Sequence, residues 1–175
     1  MSGLAGMAAH VARRVDRLKK EAPVETLRTR PLYARLARDM APALKPGAAI
    51  AEVKFAEPGK GLLVIRATPE EAARLASDAE RRGAAAVAVW VEHNFHAGEY
   101  AHLEAARAAC SDLLLIARDV VVDPWQLERC RAAGADAVEL LPDLLGPALL
   151  RTAAAVRNLG LTPVTIDAGL TVRLA

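Results

Sequence analysis

Residues 50–61 read Ile-Ala-Glu-Val-Lys-Phe-Ala-Glu-Pro-Gly-Lys-Gly, an apolar strand that leads directly into a turn. Side chains alternate between the two faces of a strand, so Glu52 and Lys54 are expected on the same face. An acid beside an amine at the carboxyl end of a strand is a candidate pair for proton transfer. A simpler interpretation also stays open, in which Glu52 and Lys54 form a buried ion pair without chemistry.

The composition is that of one soluble globular domain. The chain has 175 residues, of which 53% are hydrophobic and 25% charged, enough apolar material for a sizeable core. Basic residues concentrate in residues 1–40, which carry nine Lys or Arg against four Asp or Glu. Because only 3% of the chain is aromatic, this segment is predicted to be a solvated helix and not a nucleic-acid-binding arm.

Cysteine usage and hydropathy both favour a cytoplasmic protein. Cys110 and Cys130 lie far apart without a paired-cysteine motif, a pattern typical of reduced thiols. No run of about 18 apolar residues is present, and residues 1–6 lack the apolar core of a signal peptide. Neither a membrane span nor secretion is therefore expected.

Apolar periodicity predicts two amino-terminal helices followed by alternating strands and helices. Residues 7–20 place Met7, Val11, Val15 and Leu18 on one helical face, and Leu32, Leu36 and Met40 form a second helical stripe that ends near Pro42. Strands are predicted at about 48–54, 86–91, 112–118, 136–141 and 162–167, and helices at about 69–82, 99–110, 124–133 and 147–158. This alternation predicts an α/β fold with a parallel sheet.

Glycine and capping residues mark the ends of the predicted helices. Gly83, Gly134 and Gly160 follow helices, where glycine readily adopts the left-handed backbone of a C-terminal cap. Thr68 and Asp123 each place a capping oxygen before a proline at the first helical position.

Three motifs occur in the order of a known barrel family. Residues 50–61 look like that family's first barrel strand and the loop after it. Residues 116–127, Ile-Ala-Arg-Asp-Val-Val-Val-Asp-Pro-Trp-Gln-Leu, are similar to its third strand and next helix start. Residues 131–138, Arg-Ala-Ala-Gly-Ala-Asp-Ala-Val, resemble the run into its fourth strand. With the two amino-terminal helices, nearly the whole chain resembles the indole-3-glycerol phosphate synthase family.

The resemblance implies a (β/α)8 barrel enzyme of tryptophan biosynthesis. Members of the family close and decarboxylate a carboxyphenylamino-deoxyribulose phosphate to indole-3-glycerol phosphate, without a metal or organic cofactor. A complete barrel has about 250 residues, so about five βα units are expected here after two helices. The resemblance divides the chain into a helical extension, residues 1–46, and a partial TIM barrel with strands one to five, residues 47–175.

The candidate catalytic residues are Glu52, Lys54 and Arg118. The resemblance matches Glu52 and Lys54 to the family's first-strand pair, and it places Arg118 where the family has a catalytic lysine on the third strand. A guanidinium stays protonated, so it holds an anion but is a poor proton donor. The family's fifth-strand glutamate falls at Ile166, or at Thr165 if the strand shifts by one residue, and neither is a carboxylate base.

The candidate substrate-binding residues are Phe95, Lys60 and Trp90. By the resemblance, Phe95 matches an aromatic residue that lines the anthranilate pocket, and Trp90 is a packing residue where substrate would sit. Lys60 is a candidate for an anion-binding cluster with Lys54 and Arg118, the alternative being that Arg118 pairs with Glu52 or Glu57. Glu57 replaces a phosphate-contacting serine of the family and would repel a phosphate dianion.

A group of histidines and acids follows the second predicted strand. It comprises His93, His96 and His102 with Glu92 and Glu99, residue types that bind transition metals. No fixed ligand spacing is matched, so a solvated loop is the favoured interpretation and no metal is expected.

Three functions are compatible with the sequence. The first is an active lyase of the tryptophan pathway, which needs a partner to complete the barrel. The second is a degenerate homologue that keeps the scaffold for assembly or for binding a phosphorylated anthranilate-type or sugar-phosphate compound. The third is an enzyme with different chemistry at Glu52 and Lys54. The altered positions favour the degenerate homologue. Strands one and five of a partial barrel would have exposed edges, which predicts a homodimer, a domain-swapped assembly or a partner chain that covers them.

Overall fold

The computed structural model describes residues 3–174, which contain alternating strands and helices after a helical start. The strands are β1 Ile50–Val53, β2 Ala56–Glu57, β3 Gly61–Leu62, β4 Ala86–Trp90, β5 Leu114–Arg118, β6 Ala137–Glu139, β7 Thr162–Ile166 and β8 Val172–Leu174. The α-helices are α1 Leu4–Glu21, α2 Val24–Arg28, α3 Pro69–Arg81, α4 His93–His96, α5 Tyr100–Ala109, α6 Pro124–Ala132, α7 Pro142–Leu145 and α8 Leu149–Asn158. Short 3-10 helices span Pro31–Ala34 and Gly146–Ala148.

The main sheet has the strand order β1-β4-β5-β6-β7-β8. Its first five strands are parallel and are linked in sequence order by crossovers that contain helices, while β8 runs antiparallel to β7. This arrangement confirms the predicted α/β class and the five parallel barrel strands, of which the first four are each followed by a helix and the fifth, β7, by β8. Strands β2 and β3 form a separate small hairpin in the loop after β1.

Two apolar cores lie on opposite faces of the sheet, because successive side chains of a strand point to opposite sides. On the outer face, residues such as Val87, Val89 and Leu115 pack in one core with apolar side chains of the helices. On the inner face, Ala86, Ala88, Leu114, Ile116, Ala137 and Val164 form a second core, which Met40 and Ala43 complete. All five residues of β4 are buried, as expected for a strand covered on both sides.

Capping groups hold the helix starts where the sequence predicts them. The Thr68 hydroxyl accepts a hydrogen bond from the Glu71 N–H, 3.3 Å away. The Asp123 carboxylate accepts from the Trp125 N–H at 2.8 Å, and the Gln126 side chain accepts from the Asp123 N–H at 3.0 Å. Both predicted helix starts are thus confirmed, because donors without intrahelical partners are satisfied at each one.

The second amino-terminal helix lies elsewhere than predicted. The stripe at residues 32–40 is not an α-helix, since α2 occupies Val24–Arg28 and only a 3-10 turn follows. The buried Asp136 carboxylate explains the difference, because it accepts hydrogen bonds from the Arg35 guanidinium at 2.5 Å and from the Arg38 N–H at 2.9 Å. These bonds hold the segment in a non-helical path that leaves Leu36 83% exposed.

One of the two expected sheet edges is covered within the chain. Strand five of the predicted barrel is β7, and β8 pairs with it antiparallel, so the prediction of an exposed edge there is wrong. The Asp167 carboxylate accepts hydrogen bonds from the N–H groups of Gly169 and Thr171, both at 2.9 Å, and so stabilises the turn that returns the chain. Among the described strands β1 pairs with β4 alone and keeps an open edge.

The boundary proposed after residue 46 falls in an irregular segment before β1 and stays a prediction. No helix among residues 3–174 is long and apolar enough to cross a membrane.

Gly98 permits a close approach of backbone segments after β4. Its N–H donates to the Glu92 carbonyl at 2.8 Å, and a Cβ at this position would lie 2.4 Å from the Trp90 carbonyl oxygen. We expect Gly98→Ala to lower the free energy of unfolding by about 1–3 kcal/mol, because backbone must shift to admit the methyl group. Urea denaturation measures this loss.

The matched control for this change is Gly169→Ala. Its added Cβ would meet its nearest neighbour, the Asp167 carboxylate, at an ordinary 3.4 Å. The control should stay within about 0.5 kcal/mol of the parent chain. Equal losses in the two variants would contradict the tight packing inferred at Gly98.

Candidate functional site

Four polar or aromatic side chains meet at the carboxyl end of the inner face. Glu52, Trp90, Arg118 and Glu139 come from β1, β4, β5 and β6, each from the last or next-to-last position of its strand. The register places Trp90 beside Arg118 and Ile116 beside Ala137, so Arg118 and Glu139 are neighbours two residues further on. The carboxyl edge of a parallel sheet is where α/β proteins build their sites.

Arg118 is the centre of this group. Its Nε lies 2.6 Å from Glu139 Oε2 and its Nη2 lies 3.0 Å from Glu139 Oε1, a two-pronged contact between the planar groups. Its Nη1 donates to Glu52 Oε1 at 2.5 Å. Each of the three guanidinium nitrogens therefore already donates to a carboxylate. The structure confirms the alternative in which Arg118 pairs with Glu52.

Glu52 has further partners that hold its carboxylate. Trp90 Nε1 donates to Oε1 at 2.8 Å, and Lys54 Nζ lies 3.2 Å from Oε2. Burial alone would raise the pKa of Glu52, but the Trp90 hydrogen bond and the charges of Arg118 and Lys54 lower it below its ordinary value. Glu52 is thus held as an anion, paired with Lys54 as the sequence predicts.

Glu139 is the member of this ionic group that the sequence did not single out. Its side chain is 1% exposed, and Arg118 is the hydrogen-bond partner of its carboxylate among the described residues. Burial raises the pKa of Glu139 above its ordinary value, although the hydrogen bonds and charge of Arg118 act in the opposite direction. The available signal was an acid at the carboxyl end of the fourth predicted strand, the type of position that singled out Glu52.

Trp90 is packed into the site by its neighbours. Its ring stacks on the His96 ring with 3.6 Å between centroids and 7° between planes, and the Arg118 guanidinium carbon lies 4.5 Å from its ring centroid. His96 is oriented in turn by Glu92, whose Oε2 is 2.9 Å from His96 Nδ1. Trp90 is only 8% exposed, so it fills the mouth of the inner face as a packing residue.

Lys60 lies at the rim and is paired with a carboxylate. Glu57 Oε1 is 2.9 Å from Lys60 Nζ, and Glu57 Oε2 is 3.5 Å from Lys54 Nζ. The hydrogen bond from Lys60 is the main cause that lowers the pKa of Glu57. The predicted cluster of Lys54, Lys60 and Arg118 is thus balanced by three carboxylates, from Glu52, Glu57 and Glu139.

Phe95 lies outside the ionic group, on α4. Its half-buried ring packs edge-on against the His10 ring of α1, with 5.9 Å between centroids. The structure therefore places this candidate between α4 and α1, and a ligand role for Phe95 stays a prediction.

The histidines and acids after β4 serve local structure. His93 Nδ1 pairs with Glu99 Oε1 at 2.5 Å, while the His102 Nδ1 accepts the Glu99 N–H at 3.1 Å in a capping box. Glu92 caps α4 by accepting three backbone N–H groups. Within residues 3–174, no group of three or more His, Cys, Asp or Glu side chains is arranged to hold a metal ion.

The fifth barrel strand brings no carboxylate to the site. Ile166 packs with the inner-face core. Asp167, the next acid, is engaged in the turn to β8 and in an ion pair with Arg173 at 3.3 Å. The inner face therefore carries its second acid on the fourth strand, at Glu139.

Fold and site together define a partial (β/α)8 barrel with an ionic group at the carboxyl ends of its strands. A family model described as indole-3-glycerol phosphate synthase matches residues 4–166. The chain belongs to the indole-3-glycerol phosphate synthase family, as the resemblance of its motifs indicated. The partial (β/α)8 barrel implied by that resemblance is confirmed with it.

Curated proteins described as indole-3-glycerol phosphate synthase are similar to this chain. The Aromatoleum aromaticum protein is 45% identical over 109 residues, covering 62% of this chain and 40% of the relative. The Salinibacter ruber protein is 39% identical over 152 residues, covering 85% and 55%. The Roseiflexus castenholzii protein is 38% identical over 141 residues, covering 76% and 51%. The chain spans about half the length of the curated relatives it matches.

Replacement of Arg118 should show how much the positive charge of its guanidinium contributes to the stability of the fold. Arg118→Met leaves the buried Glu139 carboxylate without a cation, so we expect the free energy of unfolding to fall by about 3–5 kcal/mol. A second change, Glu139→Gln, should recover much of this loss in the double variant. Urea denaturation of both variants tests the expectation.

Arg28→Met is the control for loss of a guanidinium. Arg28 pairs with Glu128 at 2.5 Å, but its side chain is 57% exposed and Tyr33 also donates to Glu128. We expect this change to cost much less stability than Arg118→Met, because an exposed ion pair is screened by solvent. A similar loss for Arg28→Met and Arg118→Met would show that Arg118 does not compensate a buried charge.

Proposed function

We propose that the chain is a catalytically degenerate member of its family, which binds an anthranilate-type small molecule at the mouth of the inner face. The observation that carries the proposal is Arg118, which takes the position of the family's catalytic lysine and is held by two carboxylates. Phosphorylated anthranilate-type compounds are the substrate class of the family and belong to the proposed ligands.

Arg118 is a poor proton donor for the family reaction. A guanidinium stays protonated at neutral pH, so Arg118 stabilises an anion without releasing a proton. Glu139 and Glu52 accept hydrogen bonds from Arg118 and favour its charged form further. The fifth strand provides Ile166 in place of a carboxylate base.

Charge balance argues in the same direction. Arg118, Lys54 and Lys60 are matched by Glu52, Glu139 and Glu57, so the site has no surplus of cations for a phosphate dianion. Trp90 occupies space at the mouth and donates its indole N–H to Glu52. These features argue against turnover of the phosphorylated family substrate.

The alternative function is an active carboxy-lyase that assembles with another chain. Glu52 and Lys54 favour it, because they retain the family's first-strand pair at 3.2 Å. The open edge of β1 also favours it, since a strand edge invites pairing with a further strand. A groove of about 480 Å³ runs along this edge, between β1 and α3.

An enzyme assay separates the two functions. The purified chain is incubated with the carboxyphenylamino-deoxyribulose phosphate of the family, and formation of indole-3-glycerol phosphate is followed by its indole fluorescence. We expect ligand binding without product from the parent chain, because Arg118 cannot donate the proton. Arg118→Lys introduces an ammonium group that can donate a proton. Arg28→Lys is the control, because Arg28 pairs with Glu128 of α6 and not with the ionic group of Arg118. Product formation by the parent chain at a rate above that of the buffer would contradict degeneracy.

The state of assembly is a second prediction. Because β1 has an unpaired edge beside an open groove, we propose that a second copy or a partner chain covers it. Light scattering after gel filtration should show a species larger than one 18.5 kDa chain at micromolar concentration. A monomer across the accessible concentration range would contradict self-association and leave the partner chain to be sought by co-purification.

A further inference from the structure

The Glu139 carboxylate contacts Arg118 in the same way as the carboxylate of a bound ligand would. Two carboxylate oxygens face Nε and Nη2 of the guanidinium at 2.6 and 3.0 Å. This two-pronged contact is the way in which arginine recognises the carboxylate of a small molecule. Glu139 thus occupies the donors that an anionic ligand at the mouth of the inner face would use.

We propose that Glu139 is a built-in competitor for Arg118, and that a small aromatic carboxylate binds by displacing it from the guanidinium. The inference rests on the proposed function, since it concerns the ligand of the same site. It assigns to Glu139 a role in setting ligand affinity and selectivity, beyond its role in charge balance.

Glu139 is the carboxylate that yields, because Glu52 is held by more groups. If Arg118 leaves Glu52 to bind a ligand, Glu52 keeps two other partners, the Trp90 indole N–H and the Lys54 ammonium. Glu139 has Arg118 as the partner of its carboxylate among residues 3–174, and it is 1% exposed. Its raised pKa supports this assignment, since a buried carboxyl group tolerates loss of its cation by taking up a proton.

The neighbours of Arg118 select the class of ligand. The planar guanidinium matches a planar carboxylate, and its carbon lies 4.5 Å from the centroid of the Trp90 ring, so the contact has an apolar as well as a charged environment. A phosphate dianion is disfavoured, because Glu52 and Glu57 remain near the Arg118 and Lys54 cations. A benzoate-type monoanion is therefore the fitting occupant.

Calorimetric titration of the full chain tests the proposal with benzoate, its neutral analogue benzamide, and inorganic phosphate as probes. Glu139→Gln keeps the shape of the side chain but removes the charge that competes for Arg118. We expect this variant to bind benzoate at least about tenfold more tightly than the parent, since a charge-assisted contact becomes available. Benzamide affinity should not change, because benzamide lacks the anion.

Glu128→Gln is the matched control, because Glu128 is also a buried acid paired with an arginine, Arg28, but lies on α6 near α2. It should leave benzoate affinity unchanged. Should Glu139→Gln fail to fold by circular dichroism, Glu139→Leu serves as the second uncharged variant. Unchanged or weaker benzoate binding in a folded Glu139 variant would overturn the proposal, as would an equal gain for benzamide.

Turnover of the family substrate and benzoate affinity test the two proposals separately. Turnover of the family substrate by the parent chain would contradict degeneracy, whatever the benzoate affinity of the Glu139 variants. A phosphate gain in Glu139→Gln that exceeds the benzoate gain would overturn the carboxylate assignment, yet leave anion binding by Arg118 in place.

Discussion

The contact between Arg118 and two carboxylates is the interaction on which the site depends. A charge removed from water must find opposite charge and hydrogen bonds, or its desolvation destabilises the fold. Glu139 and Glu52 meet this need for Arg118, and Lys54 adds the second cation that balances the two acids. The mouth of the inner face is therefore electrically neutral and filled by protein groups.

The surrounding structure is arranged to hold this contact. Met40 and Ala43 close the inner core with apolar side chains from the segment before β1. Beyond β4, Glu92 caps a short helix and orients His96, which stacks on Trp90. Gly98 allows the chain to pass against the Trp90 carbonyl, where any other residue would collide. The indole is thereby fixed where it can donate to Glu52.

Membership of the indole-3-glycerol phosphate synthase family accounts for the scaffold more fully than for the chemistry. The βα order fits the family, and the resemblance of the motifs matches Glu52 and Lys54 to its first-strand pair, Arg118 to its catalytic lysine, and Ile166 or Thr165 to its fifth-strand glutamate. Trp90 hydrogen-bonds Glu52, and Glu139 accepts hydrogen bonds from Arg118. Family membership therefore defines the scaffold, while function depends on the few side chains at the carboxyl edge of the sheet.

The sequence by itself determined the elements of the fold, because strand and helix periodicity, helix caps and terminal glycines act over a few neighbouring residues. It also singled out Glu52, Lys54 and Arg118 through local motifs, and the structure brings these three side chains together. Tertiary structure decided the rest, since it depends on contacts between residues far apart in the chain. The Asp136 carboxylate binds Arg35 and holds its segment in a non-helical path, and β8 covers the edge of β7. Glu139 of β6 pairs with Arg118 of the neighbouring strand β5. Pairings of this kind arise from register and burial, which no local pattern specifies.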